Sequence, residues 1–310
     1  MSFDRIRHRL EGGRPLVLDS DTGAAFRARG VALDTPGALG LLLRERPLEV
    51  LDHYRAEVLC SVDVLCALTA DTTPRALAEV GMQHRAAMLT GISVELALEA
   101  ARASSKPVAV AGVLGSDMVS PVAADRLHEE FREHAARLAA AGCELLVARG
   151  QGSRLGLMAA VVASAATDLP TWAVVECARS GELADGGNVV EVVEALEEAG
   201  AAAILFEVPS VASGLEQLAR LSRVPGTMRP RGPGVSGMLL AASDESVRGF
   251  PDPQVDAEHW LEHALDLDAS GARIIGGGAG TTEAHTAALA RALGALHPSL
   301  PLTAQSAGAD

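Results

Sequence analysis

Eight short apolar runs alternate along the chain with longer stretches in which apolar residues recur every three or four positions. The runs lie at Pro15–Asp19, Asp63–Leu68, Pro107–Ala111, Glu144–Ala148, Thr171–Glu176, Ala202–Glu207, Val235–Leu240 and Ala272–Gly276. Such short, mostly apolar runs are expected of parallel strands with helices outside and packed side chains inside. The stretches between them read as helices. In Val122–Ala141, the residues Leu127, Phe131, Ala135 and Leu138 mark one buried face, while Arg126, Glu130, Glu133 and Arg137 face water. Gly142 then ends the helix, because glycine accepts the left-handed conformation common just past a helix. Gly200 after Glu191–Ala199 and Gly271 after Asp256–Ser270 repeat the device. Eight βα units without a compositional break predict an α/β fold, a closed (β/α)8 TIM barrel, as one domain over residues 1–297. An open eight-stranded sheet is the alternative that periodicity leaves standing. Ser2–Leu10 reads as a short amphipathic helix at the lower mouth, Ser222–Pro233 and Asp244–Gln254 as loops, and residues 298–310 as a flexible tail.

Composition narrows the partners. The chain has 310 residues, 48% apolar, enough for a core that needs neither disulfide nor metal. Its net charge of −14 disfavours nucleic acid and anionic membrane surfaces, since no basic tract offsets phosphate repulsion. A small-molecule substrate is the expected partner, and assembly with identical chains is left open. Met1–Glu11 carries no apolar signal core, and no run is long and apolar enough to span a bilayer. Cys60, Cys66, Cys143 and Cys177 are widely scattered and read as free thiols of a cytoplasmic protein.

Polar residues gather where the apolar runs end, which is where a barrel of this kind carries its chemistry. Asp19, Glu176, Glu207 and Arg149 are the expected catalytic groups; Asp21, Thr69, Asp71, Gly277, Gly278 and Thr281 are the expected substrate contacts. Three carboxylates at one mouth can move a proton, bind an amine or hold a hard divalent cation, and Arg149 can pair with one of them or clamp an anion. The glycine run from Gly276 to Gly280 before Thr281 could cradle an anion, although it has no GxxxxGK[ST] lysine and no GxGxxG context. The bland alternative is close packing at the glycines and a helix cap at Thr282. Cys66 and Cys143 read as small core residues, and Cys177 as the best thiol candidate. His53, His84, His128 and His134 fall on helices and read as surface or interfacial, with His285 in the last helix.

These strand ends resemble the homocysteine S-methyltransferase family. The run DSDTGAAF from Asp19 is similar to the family's DG-x-x-GTE-L opening, and DVLCALT from Asp63 to its D-I-I-T-T-N-T strand. AGVLG from Ala111 resembles AGS-x-G, and IIGGGAGTT from Ile274 matches an IIGGCCGTT signature except at its two cysteines. The likeness covers about residues 14–297. It implies a barrel enzyme that ionises a thiol on zinc held by three cysteines, one in a G-x-NC segment after the sixth strand and two in GGCC. Here Pro209 or a neighbour stands at the first of those positions, and Gly278 and Ala279 at the others. The family's Thr-Glu becomes Ala24-Ala25, and its fourth-strand Glu-Thr becomes Arg149-Gly150. The resemblance therefore implies a divergent relative without the thiolate zinc site and with no certain cofactor. Its expected role is to act on a small polar metabolite, by methyl transfer that does not use that zinc. The alternatives are a binding or scaffold protein that has lost the chemistry, and an enzyme holding a hard divalent cation.

Overall fold

In the computed structural model, the described residues are 2–11, 14–33, 35–115, 123–150, 153–178, 183, 186–222, 235–240 and 253–296. Residues 223–233, 244–252 and 298–310, which carry the two expected loops and the tail, lie outside them. The strands are β1 (Leu16–Val17), β2 (Val64–Ala67), β3 (Ala109–Leu114), β4 (Leu145–Arg149), β5 (Thr171–Glu176), β6 (Ala203–Val208), β7 (Val235–Leu240) and β8 (Ile274–Gly277). The helices among described residues are α1 (Ser2–Glu11), α2 (Thr22–Ala28), α3 (Ala38–Glu45), α4 (Pro47–Leu59), α5 (Pro74–Ala78) and α6 (Ala86–Arg102). They continue with α7 (Ala124–Ala141), α8 (Arg154–Ala165), α9 (Val189–Glu198), α10 (Val211–Ser222), α11 (Pro253–Ala269) and α12 (Glu283–Leu296). None of them is long and apolar enough to cross a membrane.

The expected closed TIM barrel is corrected by the seam between β1 and β2. All eight of these described strands are parallel and form one curled sheet in the order β1-β8-β7-β6-β5-β4-β3-β2, which leaves β1 and β2 as its two ends. Seven ladders join the other neighbours, whereas these ends share a single isolated bridge, Leu18 with Val64. The cause is local. β1 is only two residues long, too short to build a ladder on both sides. Aspartate side chains occupy the seam instead: the Val17 N–H donates to Asp63 Oδ2 at 3.0 Å, and the Cys66 N–H to Asp19 Oδ2 at 2.7 Å. The sheet is therefore open and curled, stitched at its seam by carboxylates.

Two apolar layers hold this sheet. Inside the curl, Leu16, Leu18, Val64, Ala109, Ala111, Leu145, Val147, Trp172, Val174, Ala203, Leu205 and Ile274 pack together. They come from alternate positions because a strand turns successive side chains to opposite faces. Helix α1 closes the lower end by adding buried Ile6 to this cluster, with Phe3 and Leu10 against it. The intervening strand residues, among them Val17, Leu65, Val110, Leu146, Ala173 and Phe206, face outward onto the helices. The three glycines expected to end helices do so with positive φ, +100° at Gly142, +102° at Gly200 and +105° at Gly271. Helix α9 starts on a side-chain cap, the Val190 N–H donating to Asn188 Oδ1 at 2.9 Å. Glu130, expected in water, instead turns against α5 and pairs with Arg75 at 3.0 Å.

Candidate functional site

At the C-terminal ends of the strands the curl opens into a cavity of about 400 Å³. The inner-face alternation delivers its charges. Two residues beyond Val147 and Leu205, on the same face, Arg149 and Glu207 enter the cavity wall and form an ion pair. Asp19 follows Leu18 at the seam, and Asp21, Arg27, Thr69, Asp71, Cys66, Gly277, Gly278 and Ala279 are among the polar and small residues of the lining. Of the residues expected to act, Asp19, Arg149 and Glu207 are thus brought together. Glu176 pairs in register with Glu207 across β5 and β6 but is not among the lining residues. Of the expected contacts, Asp21, Thr69, Asp71, Gly277 and Gly278 line the cavity, and Thr281 lies behind it, fully buried.

Burial decides the electrostatics. Asp19 is nearly inaccessible, and loss of water pushes its carboxyl up to about 7, against the Cys66 N–H and thiol, which hydrogen-bond its charged form, and the Arg149 charge. A carboxyl poised there exchanges its proton near neutral pH. The Cys66 thiol is pushed well above its ordinary range, first by burial and then by the Asp19 charge. Thr69 is held rigidly at the rim: its Oγ accepts the Val113 N–H at 2.8 Å and lies 2.9 Å from the Val113 carbonyl.

The loops after β1 and β8 are sewn to each other. Thr281 Oγ1 donates to the Gly278 carbonyl at 2.8 Å and accepts the Asp21 N–H at 3.1 Å. Asp21 Oδ2 accepts the Gly280 N–H at 3.1 Å, so an internal carboxylate takes an amide that a bound anion would use. Gly277 makes the close approach workable, since a Cβ there would lie 2.0 Å from Thr281 Oγ1 and 3.1 Å from the Ser20 Cα. Gly277→Ala is expected to lower stability by about 1–3 kcal/mol through overpacking. Urea denaturation checks it, and an unchanged midpoint would refute the packing role. Thr282 stands just before α12: its carbonyl accepts the His285 N–H at 2.9 Å, and its own N–H donates to His285 Nδ1 at 3.1 Å.

A three-thiolate zinc site does not fit these residues. Gly278 and Ala279, where the resemblance puts two ligands, line the cavity and have no donor side chain. Among the described residues, Cys66 is the one thiol in the lining, and it hydrogen-bonds Asp19. Nor are three oxygen donors for a hard cation assembled from Asp19, Glu176 and Glu207, because Glu176 stands outside the lining.

Some polar groups escaped the sequence reading. Cys66, read as core, opens on the cavity, while Cys177, read as the best thiol, packs partly buried against the outer core. His53 and His134, read as surface or interfacial, are buried. Glu57 was not singled out and is fully buried. A signal existed for it: Val50, Tyr54 and Glu57 recur at four and three residues along one face of α4.

A model of the family described as homocysteine S-methyltransferase matches residues 16–293. Among solved structures, the metallated form of the Escherichia coli homocysteine methyltransferase MmuM is 19% identical, with a TM-score of 0.72, and the match covers 90% of this chain and 96% of that one. Its oxidized form gives 20% identity and a TM-score of 0.73 over the same shares. At this identity the structures speak for the fold, and the family match speaks for descent. A search of curated protein sequences finds no match. By the family match, which runs from β1 into the last helix, the chain belongs to the homocysteine S-methyltransferase family.

Proposed function

We propose that this protein is a small-metabolite enzyme of its family that transfers a methyl group without thiolate-held zinc. Asp19 accepts the proton that the acceptor loses, and Arg149 orients an anionic group of the substrate. Glu207 holds Arg149, while Asp21, Thr69, Asp71, Gly277 and Gly278 shape the cavity. The observation that carries this reading is that Asp19 and Arg149 open on one cavity, close enough for the arginine charge to stabilise the ionised carboxyl. About 400 Å³ suits a metabolite-sized ligand. Asp19, held near neutrality in its protonation, is matched to a proton leaving an acceptor at that pH.

The test begins with thermal-shift screening of homocysteine and other small amino acids and amines, followed by calorimetry on the ligands that bind. Arg149→Met is expected to weaken binding roughly 10- to 100-fold, the worth of a charge-assisted hydrogen bond. Asp19→Asn should retain binding and lose turnover with a sulfonium methyl donor, and a zinc chelator should leave turnover unchanged. Chelator-sensitive turnover, or undiminished turnover in Asp19→Asn, defeats the proposal. A second reading, a binding protein that has lost the transfer step, draws on the Arg149–Glu207 pair, which satisfies both charges without a substrate. Tight binding with no turnover under any donor would decide for it.

A further inference from the structure

Behind the cavity wall lies a second acid that the proposed chemistry does not use. Glu57 on α4 has no solvent exposure. Its Oε1 accepts both the hydroxyl and the backbone N–H of Ser20, the residue that follows Asp19 in the chain and itself lines the cavity. Its Oε2 has no hydrogen-bond partner among the described residues. A fully ionised carboxylate buried with one oxygen unsolvated is costly, so something must account for a glutamate here.

We propose that Glu57 is a positioning residue of the cavity: through Ser20 it fixes the segment carrying Asp19, and ionisation of either acid opposes ionisation of the other. The geometry supplies one contact chain, Glu57 to Ser20, with Asp19 next in sequence and pinned at its other end by the Cys66 N–H. Two carboxyls held this close to one buried segment resist carrying two charges together. Burial lifts Glu57 to about 7, and the Asp19 charge lifts it further, so both acids titrate in the same interval.

The groups facing Glu57 are few. Asp19 approaches from the seam, and Glu283 from α12 adds repulsion. His53, one turn earlier on α4, counters them, with its Nδ1 3.0 Å from Glu283 Oε1. Glu283 is itself opposed by burial but held down at about 2 by the His53 hydrogen bond, its own backbone N–H and the Arg29 charge, so it is constant across the neutral range. The Cys60 and Cys66 thiols feel the Glu57 charge and are pushed upward, first by burial, to about 11 for Cys60 and well above the ordinary range for Cys66, so both are neutral there. Among the carboxyls and thiols of this set, Asp19 and Glu57 are the pair that exchanges charge near pH 7. The inference rests on Asp19 facing the cavity, and not on which ligand enters it.

Carboxyl-carbon NMR on the full chain tests it without a substrate, with Asp19→Asn and Glu57→Gln assigning the two resonances. In the unaltered protein the two carboxyls should titrate in coupled, two-step curves, as interacting sites do. In Glu57→Gln, whose amide can still accept from Ser20, the Asp19 midpoint should fall by about one pH unit or more. A merely structural glutamate would leave that midpoint in place. Ser20→Ala should keep the coupling while broadening the Asp19 resonance. Independent single-step curves in the unaltered protein would overturn the proposal, even if Glu57→Gln failed to fold, as would an Asp19 midpoint in that variant unmoved within about a tenth of a pH unit. Failure of the metabolite reading would appear only in the binding and turnover assays.

Discussion

Asp63→Ala should lose about 3 kcal/mol of stability, the scale on which breaking a buried ion pair from one side destabilises a fold. The carboxylate is 1% exposed and serves three donors at the lower end of the seam. Oδ1 meets the Arg9 guanidinium from α1 and the Lys106 ammonium at 3.1 Å, while Oδ2 takes the Val17 N–H. Its own N–H donates to the Val17 carbonyl at 2.8 Å. Removing the side chain leaves two cations facing each other, unsatisfies a buried N–H and detaches α1, whose Ile6 plugs the inner core. Arg9 and Lys106 are each about a third exposed, so water takes up part of the loss and holds the figure at the lower end of the range. Asp63→Asn keeps an oxygen for Val17 and should cost roughly half as much, which separates the hydrogen bond from the charge. Urea denaturation with an unchanged slope measures both. A loss below about 1 kcal/mol for the alanine variant would mean that the seam does not depend on this carboxylate.

That seam also marks where the sequence stopped being readable. Strands could be placed because a buried parallel strand has few alternatives to a short apolar run, and β4 to β8 begin and end within two residues of the expected runs. Gly142, Gly200 and Gly271 could be placed because a left-handed residue after a helix selects for glycine. Whether β1 and β2 share a ladder has no such local signature. It depends on β1 stopping after Val17 and on two aspartates turning their oxygens to backbone amides, and Asp19 and Asp63 look from the sequence like ordinary strand-end acids.

The candidate site divides in the same way. Arg149 and Glu207 were legible because they end apolar runs at an inner-face position, where a charge needs a partner, and they prove to be each other's. Glu176 occupies the equivalent place on β5 yet stays outside the lining, since alternation states the side of a strand and not how far the cavity reaches. Glu57, His53 and His134 are easily misread for a different reason. On a helix, a polar residue reads as the wet face unless its spacing from apolar neighbours is weighed above its chemistry.

His134 supplies the other large effect, and it appears as pH dependence. The imidazole is fully buried on α7, its Nε2 3.0 Å from the Thr69 carbonyl at the rim of the cavity, and its Nδ1 has no partner among the described residues. Burial pushes it down to about 4 from the ordinary 6.5, with the Arg137 charge acting the same way and the Thr69 and Val113 backbone opposing. The unfolded chain therefore binds this proton at a higher pH than the folded one, so the stabilisation is complete above 6.5 and drains away as pH falls towards 4. At pH 4.5 the loss from this group amounts to about 2.5 kcal/mol. Asp19 and Glu57 act in the opposite sense. Their folded values lie above the unfolded ones, so their protonation favours the fold as pH drops from 7 towards 4, which masks the histidine in the unaltered protein. His134→Gln retains a donor for Thr69 and removes the titration. The expected result is that its stability difference between pH 7 and pH 4.5 shifts by about 2.5 kcal/mol in favour of the acid condition, relative to the unaltered chain. Parallel stability curves for the two proteins across that interval would show that the ring is not held neutral by burial.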